Sequence, residues 1–156
     1  MNEVARARNV VLLTIAIGLS AAAAPPGNSI QVVIVGGAHA GTYTAPPAEI
    51  VCMDMKEQFT ASYRDFGAHD PQKMSEAGLN ILNPADAGAK RGNVLVAFGD
   101  PGKKPVSQYA IAVPGDGIGA LKLTRTGKTA ELSFEGKAKD GATVTVTARC
   151  SDFEIP

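Results

Sequence analysis

Few groups in these 156 residues could do chemistry: two histidines, two cysteines and a scatter of carboxylates. His39 lies in Gly36-Gly-Ala-His-Ala-Gly41, a segment that superficially resembles a phosphate loop. It lacks the Gly-Lys-Ser/Thr ending, and no helical pattern follows it to supply backbone N–H groups. A strand-to-strand turn needing positive φ explains its glycines. Gly115-Asp-Gly-Ile-Gly119 mimics half of a dinucleotide fingerprint but precedes a strand, so it too reads as a turn. His69 and Asp70 could join Asp65 around a divalent ion, although that spacing is not diagnostic and Asp70 fits a helix cap. Asp54, Glu57 and Asp65 form a carboxylate-rich stretch. Acid–base work by such a pair needs convergence and a shifted pKa, and solvated faces are the default. No G-x-S-x-G elbow anchors a serine hydrolase. No catalytic, cofactor-binding or metal residue is therefore assigned.

Cys52 and Cys150 are the two cysteines. In an exported chain such a pair forms one disulfide. The rivals are a redox pair, which wants C-x-x-C spacing, and metal thiolates, which want more ligands nearby. The bridge would close a loop of about 98 residues and stabilise by up to ~4.7 kcal/mol in the chain-entropy model.

Export itself is an expectation from residues 1–24. Arg6 and Arg8 precede the apolar run Val10–Leu19, and Ser20-Ala-Ala-Ala-Ala24 supplies small residues for cleavage. Ten apolar residues rise about 15 Å as a helix, half of a bilayer core, so no stable membrane span is expected. Pro25 disfavours cutting after Ala24, which places the cut after Ala22 or Ala23. No Cys follows for lipid attachment, so the mature chain is expected in the periplasm or outside the cell.

The elements that must position these groups follow a two-residue period. Ile30–Val35, Gly41–Thr44 and a strand over residues 49–53 come first, then Phe59, Ala61 and Tyr63 on one face. Asp70-Pro71 suggests a short helix over Pro71–Ala77 stopped by Gly78, with a strand over Leu79–Leu82 after it. Residues 83–93 read as a polar, flexible loop. Val94, Val96 and Phe98 alternate, as do Tyr109, Ile111 and Val113. Strands around Leu121, Leu132 and Val146 follow in meander order. Asp140-Gly141 marks a hairpin whose two central positions are expected at positive φ. Each strand has one wet and one apolar face, so each needs an opposing layer. The predicted fold is all-β and mainly antiparallel, a small β-sandwich or partly open barrel over residues 25–156, with at most one short helix near 71–77.

Composition narrows the function classes. Lys+Arg and Asp+Glu are 15 each; without Glu3, Arg6 and Arg8 the mature chain holds thirteen bases and fourteen acids. That balance gives no general field for nucleic acid or anionic lipid. Aromatics are 5% with no Trp, which disfavours stacking on sugars or single-stranded bases.

Gly36-Gly-Ala-His-Ala-Gly-Thr-Tyr43, with Leu132-Ser-Phe-Glu-Gly136, Asp140-Gly141 and Cys150, resembles a group of uncharacterised bacterial exported proteins. These carry a G-G-x-H-A-G-T-Y start, an early Cys and a late hairpin ending in Cys. The pairing of an early with a near-terminal Cys is also similar to mycobacterial surface lipoprotein antigens, but the lipidation Cys is missing. The resemblance covers both ends of the mature domain, says little about residues 64–93, and brings no activity or cofactor. The expectation is a non-enzymatic domain binding an envelope or extracellular partner through loops on a rigid sheet. Its contact loop would comprise Gly36, Gly37, His39, Gly41 and Tyr43, joined by the 83–93 loop. The alternatives are a small-ligand carrier with an apolar pocket and a hydrolase using the histidines and carboxylates.

Overall fold

The computed structural model describes residues 27–101, 103, 107–115, 118–151 and 153. The leader read over residues 1–24 lies outside them. Ten strands run in chain order: β1 Ser29–Val35, β2 Gly41–Thr44, β3 Ile50–Met55, β4 Gln58–Arg64, β5 Met74–Leu82, β6 Arg91–Phe98, β7 Ser107–Val113, β8 Ile118–Thr126, β9 Thr129–Lys137 and β10 Thr143–Ser151. They form two five-stranded antiparallel sheets packed face to face and not closed into a barrel. The first has the order β2-β1-β10-β9-β8 and the second β3-β4-β5-β6-β7.

The two-residue period builds the core. Ile30, Val32 and Ile34 of β1 point inward with Val144, Val146 and Ala148 of β10. They meet Phe59, Ala61 and Tyr63 of β4, Leu79 and Ile81 of β5, and Val94 and Val96 of β6. Each fully buried Val, Leu, Ile or Phe contributes about 1.5–3 kcal/mol of transfer free energy. The second sheet is a plain meander, and β10 returns to lie between β1 and β9.

The expected disulfide is present. Cys52 on β3 is joined to Cys150 on β10, with Cα atoms 5.9 Å apart, so the bridge fastens one sheet to the other. Close by, Asn28 ties both sheets as well. Its Nδ2 donates to the Ile50 carbonyl at 3.3 Å and its Oδ1 accepts from the Ser151 N–H at 2.9 Å. Arg125 of β8 reaches Asp54 of β3 at 2.9 Å.

Four expectations need correction. The helix over Pro71–Ala77 is absent, and the one helical piece among the described residues is a 3-10 turn at Pro47–Glu49. Asp70 does cap locally: its Oδ1 accepts from the Gln72 N–H at 2.8 Å and its carbonyl from the Lys73 N–H at 3.0 Å. The turn goes no further because Met74, Ala77, Leu79 and Ile81 bury in the middle strand of the second sheet. A bulge between Met74 and Glu76 turns both Met74 and Ser75 inward, which hides the two-residue period from the sequence. Gly78 is mid-strand and stops nothing.

The segment 83–93 is not one loop, since Arg91–Asn93 already belong to β6. Residues 83–90 are tied: Asn83 N–H donates to Glu57 O at 2.7 Å, and Lys90 Nζ holds the carbonyls of Pro84 and Asp86. In the late hairpin, positive φ falls on Gly141 alone (+87°); Asp140 instead accepts the Ala142 N–H on its carboxylate at 3.0 Å. Gly119, read as turn, is strand. A Cβ on it would stand 2.5 Å from the Phe134 ring, and one on its cross-strand neighbour Gly136 would stand 2.4 Å from that ring. The two glycines are the space in which Phe134 is buried.

Candidate functional site

The β1–β2 turn (residues 36–40), the 65–73 connection, residues 99–101 after β6 and the 138–142 turn gather around one end of the sandwich. Gly36 and Gly37 make the first turn at φ +81° and +74°, where a side chain would be strained. A Cβ on Gly37 would also meet Asp140, Tyr109 Oη and Ala142 at 3.2–3.3 Å. Gly41 needs no such φ and opens β2, close under the Tyr43 ring.

This turn drives His39 inward. The residue is 5% exposed, not a solvated loop histidine. Its ring lies flat on Phe98, with centroids 4.0 Å apart and planes 6° apart. Tyr109 meets it edge-on at 6.4 Å, and Tyr43 meets Phe98 edge-on at 4.8 Å. Tyr43 Oη donates back to the His39 carbonyl at 3.1 Å. His39 Nε2 is 2.8 Å from Ser107 Oγ, and Nδ1 is buried with no hydrogen-bond partner. Burial pushes the Tyr109 hydroxyl above the usual tyrosine range, with the Asp140 carboxylate adding to the effect.

A histidine 2.8 Å from a solvent-facing serine invites comparison with a nucleophile and its base. A base at Nε2 must carry its proton on Nδ1. Here that N–H would be buried without an acceptor, at a cost of about 1–3 kcal/mol. An unmatched acceptor lone pair is tolerated better. The proton therefore belongs on Nε2, donated to Ser107 Oγ. In that tautomer His39 locks Ser107 and cannot take its proton.

The other sequence candidates do not converge. His69 is solvent-exposed and bonds Asp100 at 3.1 Å. Asp65 is held by Lys73 at 2.7 Å and by the Gly67 N–H at 2.8 Å, and these contacts lower its pKa, the Lys73 bond most. Asp70 serves its turn. Asp54 and Glu57 lie near the β3–β4 hairpin at the far end of the second sheet from Asp65. Among the described residues no group of three or more His, Cys, Asp or Glu could hold a metal ion. The proposed contact loops are also split. The glycine turn packs by Phe98, whereas 83–90 sits at the opposite end of β5 and β6. Sequence reasoning missed Ser107, Phe98 and Tyr109 as partners of His39, because they lie far along the chain from it, Ser107 by 68 residues. The one available signal was that Phe98 and Ser107 flank the same connection.

No family model, curated protein or solved structure matches this chain. Among the described residues no helix is long and apolar enough to cross a membrane, and the disulfide suits an oxidising compartment.

Proposed function

We propose that the chain is an exported, non-enzymatic binding domain that meets an envelope or extracellular partner with its His39 end. The observation carrying this is the buried His39 ring, whose one hydrogen bond fixes Ser107 and whose stack on Phe98 stiffens the turn above it. Rigid turns lose little entropy on binding. Around them the surface offers apolar contact: Gly36, Gly37 and Ala38 are exposed, and Phe66 is 73% exposed with Arg64 over its ring at 5.6 Å. The carrier alternative draws less support, because the inner faces meet as one packed cluster and the clefts that stand out lie among exposed strand faces and turns.

Two measurements test this. A fluorophosphonate probe should leave Ser107 unlabelled in the folded protein; stoichiometric labelling abolished by His39→Gln would establish a nucleophile instead. A photo-crosslinking residue at Ala38 should capture a discrete partner in the producing cell, and Phe66→Asp should weaken that capture. Capture indifferent to Phe66→Asp and to Ala38→Arg would move the contact elsewhere.

A further inference from the structure

The outward faces of the two sheets differ in kind. Across the first sheet, Lys122, Ser133, Thr147 and Gln31 stand in one row, and Thr124, Glu131, Arg149 and Ser29 in the next. Across the second sheet one full row reads Val51, Ser62, Gly78, Leu95, Ala110, and the next runs from Met53 to Ala112 through Thr60, Asn80 and Asn93. Neither of these rows holds a charge. Val51 is 53% exposed, and Met53, Ala110 and Ala112 are exposed as well. Charges begin only at the margins, with the Arg64–Glu76 pair on one side and Arg91 on the other. A neutral centre inside a charged rim is the anatomy of a protein interface.

We infer that this face pairs with the same face of a second copy of the chain. The order of side-chain sizes picks that occupant. A twofold axis along β5 reverses the strand order and keeps the rows in place. Val51 then faces Ala110 of the other copy, Ser62 faces Leu95, and Gly78 faces Gly78. In the next row Met53 faces Ala112 and Asn80 faces Asn80. In these two rows Val51, Met53 and Leu95 each meet a smaller side chain and no charge is present; in the outer rows Leu82 meets Leu82, and Glu76 meets Glu76 with an Arg64 beside each. This is the self-complementarity an isologous dimer requires. Stacked sheets sit about 10 Å apart, close enough for such side chains to interdigitate. Five strands about 4.8 Å apart and four rows about 6.8 Å apart give roughly 600 Å² per copy, at the lower end of specific interfaces. An interface of that size belongs with weak associations.

Sedimentation velocity on the disulfide-bonded protein, up to about 200 µM, should show a monomer–dimer equilibrium. Ala110→Arg and Ser62→Glu should each raise the dissociation constant at least about tenfold, while Thr145→Lys on the other sheet leaves it unchanged. Ala110 lies exposed on the edge strand β7, so its variant should keep the native melting temperature. Asn80→Cys, close to the axis, should give a covalent dimer with a short bis-maleimide, and Thr145→Cys should not. A monomer throughout the concentration range overturns the inference. So does a dimer indifferent to both second-sheet substitutions, or one crosslinked through Thr145.

Discussion

Two seams between the sheets are closed by different physics. At one, along the edge strand β3, the Asn28 side chain, the Cys52–Cys150 bridge and the Arg125–Asp54 pair hold sheet to sheet. At the other, the sheets meet through rings: His39 on Phe98, flanked by Tyr43 and Tyr109. The bridge acts chiefly by constraining the unfolded chain. The ring cluster exists only in the folded chain and acts through packing and one buried hydrogen bond. The bridge therefore stabilises the domain as a whole, and the ring cluster stabilises it through packing that also sets how rigid the surface turns beside it are.

Phe98→Ala should have the largest effect, because the residue is fully buried with three rings against it. A loss of about 3–5 kcal/mol in urea unfolding is expected. Hydrogen exchange should accelerate first in residues 36–43 and 107–113. Uniform acceleration would erase the distinction between the two seams. Cys52→Ala with Cys150→Ala should cost about 2–4 kcal/mol and loosen the domain throughout. A change under about 1 kcal/mol would mean that Asn28, the ion pair and the core suffice alone.

The His39 tautomer makes the next prediction. Ser107→Ala should cost about 1–2 kcal/mol by stranding a buried Nε2–H. His39→Phe keeps the stack and removes the stranded donor. In that background Ser107→Ala should be nearly silent, so a double-mutant cycle reads the hydrogen bond directly. Additive costs would show that Nε2 donates to something other than Ser107.

The strands and the bridge were more legible in the sequence than the ring cluster. Alternation in β4, β7, β9 and β10 named nearly every core residue of those strands, because a sheet buried on one face imposes a period of two. The Cys52–Cys150 pairing was legible from compartment and count. Of β5 only the stretch Leu79–Leu82 was legible; its first half was not, because its bulge puts Met74 and Ser75 on the same side and because Asp70-Pro71 forms a real turn that imitates a helix start. The candidate site was half legible. The glycine turn was visible, but the inward course of His39 depends on Phe98 and Ser107, far along the chain. Gly119 read as part of a turn, since only the position of the Phe134 ring reveals why it and Gly136 lack side chains.

The smallest effects are electrostatic and separate the two ends of the pH scale. Tyr63 and Tyr109 have pKa values raised by burial, then by Asp65 and Glu49 around the first and Asp140 beside the second. An unfolded tyrosine ionises near pH 10, before either folded one does. Their contribution is thus fully present below that pH and is lost as pH rises through the folded values. The urea midpoint should fall above about pH 10, less steeply in Tyr109→Phe. Asp65 has the opposite sign. Lys73 and the Gly67 N–H lower its pKa, so its contribution is present above the unfolded value of 3.8 and fades as pH falls below it. The pair is solvent-exposed, so 1 M salt should remove most of this acid-side slope while leaving the alkaline one, which comes from burial. An alkaline slope equally sensitive to salt would place Asp140, and not the ring cluster, at the origin of the Tyr109 shift.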